Sequence, residues 1–215
     1  MAKLVPPMLQ SAIMNAVIIR WSAIIFLGIW STDIEAGYFS AASRVAIALS
    51  LALVTTNAVA APRLAKQFAN GEIAAVAITS STATAFALLI ASPIFFLCFF
   101  LPSWTMSLFG QEFVSAGNVL LVLVAGELMN VLVGPVGTLL QMSGYERVYR
   151  NCTIASAMLQ VALCIFLIPK FGAMGAAIAT ASALFLTNLL AFLFTYKLLA
   201  VLPLPFVAAR VRVRR

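Results

Sequence analysis

The chain has 215 residues, of which 64% are hydrophobic and 9% charged. Soluble domains carry about 45–50% apolar and about 25% charged residues, so the excess is assigned to lipid and a water-soluble globule of this size is excluded. Histidine is absent, which removes the commonest general base and metal ligand.

At about 20 residues per crossing, the apolar segments read as six transmembrane helices in an all-α bundle. The first covers about residues 4–30, with Pro6 and Pro7 in its first turn, where a missing N–H costs little. No small-residue cleavage site follows it and Arg20 interrupts it, so it reads as a span and not as a cleaved signal. The short acidic loop 31–35 holds Asp33 and Glu35, which read as solvating a turn. Span two covers about 36–61 and is expected to stop near Pro62, ahead of a loop carrying Arg63 and Lys66. Span three covers about 73–101, with Pro93 as an expected kink. Residues 102–112 read as an interfacial turn around Trp104, the depth that Trp prefers.

Span four covers about 113–142, and Gly134-Pro135 is expected to bend it. A polar, basic loop follows at 143–150. Span five covers about 151–168, 169–172 is a tight turn, and span six covers about 173–199. Residues 1–200 thus form one six-helix lobe. Residues 201–215 form a basic tail with Arg210, Arg212, Arg214 and Arg215, read as a lipid-headgroup anchor. The three cysteines, Cys98, Cys152 and Cys164, fall in or beside apolar runs and read as small apolar fillers.

The 13 Lys and Arg residues divide unequally. Lys3, Arg63, Lys66, Arg147, Arg150, Lys197 and the four tail arginines fall on one side of this topology, and Lys170 alone on the other. Arg20 and Arg44 lie within spans. The positive-inside rule puts the basic side, with both termini, in the cytoplasm. The net charge of +7 is accounted for in this way without nucleic acid.

Ionised groups at membrane depth are costly and rarely face lipid. Arg20, Arg44 and Glu127 are therefore the candidate functional residues. Glu127, Asn130, Gly134, Thr138 and Gln141 recur at steps of three or four and share one helix face. Ser40, Arg44 and Thr55 form a stripe on span two, and Ser43, Ser50 and Asn57 form another. Span five offers Thr153, Ser156, Gln160 and Cys164; span six offers Thr180, Thr187, Asn188 and Thr195. Such stripes serve either as close-packing seams between helices or as the lining of a hydrated cavity. Guanidinium groups suit phosphate oxygens, and a buried carboxyl suits proton or cation coupling. With no paired carboxylates in a membrane-adjacent loop beyond Asp33 and Glu35, no histidine and no metal-ligand cluster, general acid–base roles lack players. The chain reads as a non-enzyme without a cofactor or metal.

Two stretches carry a family resemblance. The first is Gly37-Tyr-Phe-Ser-Ala-Ala-Ser-Arg44, continuing through Asn57 to Ala61-Pro-Arg-Leu-Ala-Lys66. The second is Phe109-Gly-Gln-Glu-Phe-Val-Ser-Ala116, followed by Gly126, Asn130, Gly134 and Leu139-Leu-Gln-Met-Ser-Gly144, then Ile168-Pro-Lys-Phe-Gly-Ala-Met-Gly-Ala-Ala-Ile178. Together these resemble the second lobe of polysaccharide-exporter (Wzx-like) lipid-linked oligosaccharide flippases, relatives of the multidrug and toxin extrusion antiporters. The resemblance covers about residues 4–200. It implies a two-lobe transporter in the cytoplasmic membrane of a bacterium, moving a polyprenyl-pyrophosphate-linked glycan by alternating access. It also implies Arg20 and Arg44 as a cationic cavity lining, while the polar stripes themselves mark Glu127, Asn130 and Asn57 as candidate coupling or cavity-lining residues. The expected partners are that glycan, membrane lipid, and a missing N-terminal lobe or a second copy of the chain. A fragment of a longer protein is the first-ranked explanation of the single lobe. The alternatives are a multidrug-type cation antiporter lobe and a non-transporting remnant.

Overall fold

The computed structural model describes residues 20–199; the Arg20 side chain, the first part of span one and the tail 201–215 lie outside the described residues. The described chain is helical throughout, with α1 (Arg20–Trp30), α2 (Asp33–Ala69), α3 (Ile73–Phe100), α4 (Pro102–Ser107), a 3₁₀ segment (Gln111–Ala116), α5 (Gly117–Val133), α6 (Val136–Met142) and α7 (Glu146–Leu199). Four segments are long and apolar enough to cross a membrane: α2, α3, Gln111–Val133 and α7; α1 is a shorter apolar helix. The chain is an all-α, multi-pass membrane protein.

Helix α7 is two helices. Gly172 breaks it at φ 52°, ψ −129°. The Gln160 amide donates to Thr180 Oγ1 at 3.5 Å, although 20 residues of straight helix span about 30 Å. The chain therefore folds back on itself at Gly172, and each arm is long enough for one crossing. This is the tight turn expected at 169–172.

A helix end inside or near lipid leaves N–H groups without water to bond. Here the N–H of Ala173 donates to Glu35 Oε2 at 2.7 Å, and Ser31 Oγ donates to the same oxygen at 2.8 Å. The carboxylate sits at the positive end of the second arm, where the helix dipole favours it. The reading of Glu35 as a solvated turn residue is thus corrected: it ties the α1–α2 corner to the α7 reversal. Thr32 caps α2 locally, accepting from the Glu35 N–H at 3.4 Å. A Cβ on Gly172 would overlap the Glu35 carboxylate, so both the backbone conformation and the space require glycine there.

Helix α2 does not stop near Pro62. It continues through that residue to Ala69. Proline removes one backbone hydrogen bond, but Ala60 and Leu64 on either side pack into a buried cluster with Val76, Ala77, Leu139 and Leu199. That packing carries the helix across the breaker, and the loop shrinks to a turn at Gly71. Helix α3 likewise runs through Pro93. The bend expected at Gly134-Pro135 is present as the break between α5 and α6, with Gly134 at φ 74°.

Helix α5 is the centre of the bundle, packed against α2, α3 and α7. The core around it is rich in small residues, among them Ala41, Ala42, Ala46, Ala87, Ala91, Ala176, Ala177 and Ala179. In lipid there is no hydrophobic drive between helices, so close backbone approach supplies the attraction. Gly126 shows how close: a Cβ there would lie 2.9 Å from Ala181 Cα on the second arm of α7. Large apolar side chains such as Ile25, Phe86, Leu89, Phe100 and Phe166 point outward, where the acyl chains would lie.

Gly172→Ala should destabilise the protein by about 2–4 kcal/mol, combining a strained backbone with a disturbed charge-assisted hydrogen bond. Gly28, whose would-be Cβ meets nothing within 4 Å, should accept alanine without loss. Thermal unfolding of the two variants in detergent would compare them; equal melting temperatures would contradict the anchoring role of the Glu35–Gly172 contact.

Candidate functional site

Polar side chains from four helices converge inside the bundle. They line a cavity of about 600 Å³ bounded by Trp21 and Ile24 of α1, Phe39, Ser40, Ser43, Arg44, Ala46 and Ile47 of α2, Leu123, Glu127 and Asn130 of α5, and Tyr149, Thr180, Leu184, Thr187 and Asn188 of α7. Its volume falls within the 300–1,000 Å³ of typical small-molecule sites. Helical rise places it in depth: at 1.5 Å per residue, Arg44 lies about 17 Å along α2 from Asp33, Glu127 about 15 Å along α5, and Thr187 about 21 Å along the second arm of α7. These helices are counted from the same side, so the site sits near the middle of a hydrocarbon layer about 30 Å thick.

Each helix presents its polar residues for a local reason. Gly126 lets α5 lie directly on α7, which sets the next residue, Glu127, at the cavity wall with 6% of its surface exposed. Asn130, one turn on, donates to Glu127 Oε2 at 3.3 Å. The α5–α6 break then ends this polar face. Thr138 and Gln141 fall beyond it, and the cavity is lined without them. On α2, Ser40, Ser43 and Arg44 fall on adjacent turns, and Arg44 is exposed.

Several hydroxyl and amide donors in the wall are already used. Ser43 donates to the Ser40 carbonyl, Thr180 to Ala176, Thr187 to Ala183 and the Asn188 amide to Leu184. Hydroxyl and amide oxygens keep free lone pairs when their hydrogens are spent in this way. The wall therefore offers acceptors to an incoming molecule, plus one permanent cation, Arg44. A ligand rich in hydroxyl donors and carrying an anionic group matches that surface.

The structure thus brings together Arg44, Glu127 and Asn130 of the residues singled out in the sequence. Asn57 lies about 20 Å further along α2 than Arg44 and does not line the cavity; its Oδ1 is buried without a hydrogen-bond partner. The Arg20 side chain is outside the described residues. Two lining residues that carry a polar atom, Tyr149 and Trp21, are not marked by the sequence patterns. Tyr149 sits in what reads as a polar loop, yet it is the first turn of α7, pressed against Gly137, where a Cβ would lie 2.8 Å from its ring. Trp21 reads as one more apolar residue of a span. The glycine at 137, in an otherwise bulky helix, is the sequence signal that an aromatic neighbour is close.

No protein-family model and no solved structure matches the chain. Over 165 residues, 75% of its length, it is 27% identical to the "Probable low-salt glycan biosynthesis flippase Agl15" of Haloferax volcanii. The aligned stretch spans 34% of that relative, about a third of its length.

A water-filled site at this depth has a direct signature. Ser43→Cys and Asn130→Cys should react many times faster with a membrane-impermeant maleimide than the native thiols do. Cys98, Cys152 and Cys164 are all buried and should stay unlabelled in the folded protein, so no cysteine-free background is needed. Protection of both introduced cysteines to the level of the native three would mean a dry packing seam.

Proposed function

We propose that this chain is one lobe of a flippase that carries a lipid-linked glycan across the cytoplasmic membrane. The observation that carries the reading is the cavity: acceptor oxygens on three helices and the Arg44 guanidinium, gathered at mid-membrane depth. Transporters place their substrate sites at that level, between helices that can move against each other. Sugar hydroxyls suit the Ser, Thr and Asn oxygens, and a phosphate or pyrophosphate link suits Arg44. The likeness to a glycan biosynthesis flippase over 75% of the chain supports the same substrate class. Similarity to only a third of that relative supports a working unit with a second lobe, supplied by a separate first lobe or by another copy of this chain.

In this reading Glu127, bonded to Asn130 in the cavity that Arg44 also lines, senses the occupancy of the cavity. An anionic headgroup on Arg44 changes the field at Glu127, and proton uptake or release there couples to alternating access. The side carrying Arg63, Lys66, Arg147 and Arg150 faces the cytoplasm, by the excess of basic residues in its loops. A cation antiporter is the weaker alternative, because Arg44 would repel a cationic drug from the cavity that holds Glu127.

Complementation tests the proposal. The chain, with and without a matching first lobe, is expressed in bacteria lacking their own oligosaccharide flippase, and surface glycan is assayed. Rescue is expected with the first lobe present, and Arg44→Ala should abolish it while the protein still inserts at normal levels. Glu127→Gln should retain binding but remove any dependence on the proton gradient. Undiminished export by Arg44→Ala would overturn the cationic-cavity reading.

A further inference from the structure

A second concavity lies outside the bundle, in the groove between α2 and α3, with a volume of about 500 Å³. Its lining includes Thr55, Thr56 and Arg63 on α2 and Thr79, Thr82 and Phe86 on α3. The two helices are antiparallel across the turn at Gly71, so equal distances from that turn mark equal depth. Arg63 then lies level with Thr79, and Thr56 level with Phe86. Lys66, three residues beyond Arg63, adds a second cation on the same side of α2.

The groove is therefore graded along the membrane normal. At the loop end it presents an exposed guanidinium and the Thr79 hydroxyl, which makes no hydrogen bond among the described residues. Deeper in, its walls are Val59, Phe86 and Ile90, and Ile78 lies beside Thr79, all four of these apolar residues being more than half exposed. The threonines at that depth are closed off: Thr55 donates to the Leu51 and Ala52 carbonyls, Thr56 to Ala52 and Thr82 to Ile78. With their hydrogens satisfied internally, they line the groove at little cost to a hydrocarbon occupant. A cation at headgroup level above an apolar channel matches one kind of molecule.

We propose that the α2–α3 groove binds a phospholipid with an anionic headgroup from the leaflet on the basic side of the protein. The headgroup phosphate pairs with Arg63 and Thr79, and an acyl chain lies along Phe86 and Ile90. Guanidinium recognises phosphate through paired hydrogen bonds, and a basic residue at this surface contributes about 1 kcal/mol toward anionic lipid. The site is separate from the central cavity and does not depend on the glycan reading.

The test is photolabelling of the full chain in lipid nanodiscs. Two probes are compared, phosphatidylglycerol and phosphatidylcholine, each with a diazirine in the acyl chain, and adducts are mapped by mass spectrometry. The expected result is phosphatidylglycerol labelling concentrated on residues 78–90 of α3, above that by phosphatidylcholine. Arg63→Ala should cut it by roughly fivefold, and Arg63→Lys should restore most of it. Arg63 is exposed, so these variants should keep the wild-type melting temperature. Equal labelling by both probes, or labelling indifferent to Arg63→Ala, would overturn the proposal. So would an unlabelled groove, which would mean that protein covers this face.

Discussion

Where α7 reverses at Gly172, the N–H of Ala173 loses its helical partner, and Glu35 takes it at 2.7 Å. In hydrocarbon a freed backbone group has no water to turn to, so a chain that folds back needs such an internal substitute. One carboxylate meets the need here and also accepts from Ser31, which joins three helix ends at a single point. The second arm of α7 is thereby fixed in height against α2. That fixes the levels of Thr180, Thr187 and Asn188 against Ser40, Ser43 and Arg44. The central cavity is a consequence of this register.

The rest of the site follows from close packing. Small residues bring α5 onto α7 at Gly126 and Ala181, and the absence of side-chain bulk there leaves Glu127 beside the polar stripe of α7. The break at Gly134, where a Cβ would collide with Thr84, lets α6 lean away from the line of α5. The polar face of α5 is thus limited to Glu127 and Asn130. Glu127 and Arg44 line one cavity whose threonine and serine hydroxyls bond back to their own helices. Lone pairs left on those oxygens suit a hydroxyl-rich ligand, and the Arg44 guanidinium suits an anionic one.

Much of this was legible in the amino-acid sequence. The apolar runs and the Pro-Gly pairs located the helices, the α5–α6 break and the α7 reversal, because those signals act within a few residues. Arg44, Glu127 and Asn130 stood out because charge and amide groups are expensive in such runs, and the cavity holds all three. Pro62 misled, since a breaker acts locally while the packing of Leu64 on Val76 and Leu139 is tertiary. Glu35 misled for the same reason: its partner is 138 residues away, and no spacing rule reaches that far. Periodicity assigns a residue to a face of its own helix. It does not say which neighbour that face meets, which is why Asn57 shares a stripe with Ser43 and yet lies outside the cavity, and why Tyr149 lies inside it.

The central claim is that the cavity between α1, α2, α5 and α7 holds a lipid-linked glycan during transport. The most direct measurement places a photoreactive amino acid at Ser43 or Asn188, and as a control at Leu89 on the outward surface, in cells making a radiolabelled lipid-linked glycan. Irradiation should join the glycan to the chain from the two cavity positions and not from Leu89. Labelling equal to that at Leu89, in protein inserted at normal levels, would mean that this cavity does not hold the glycan.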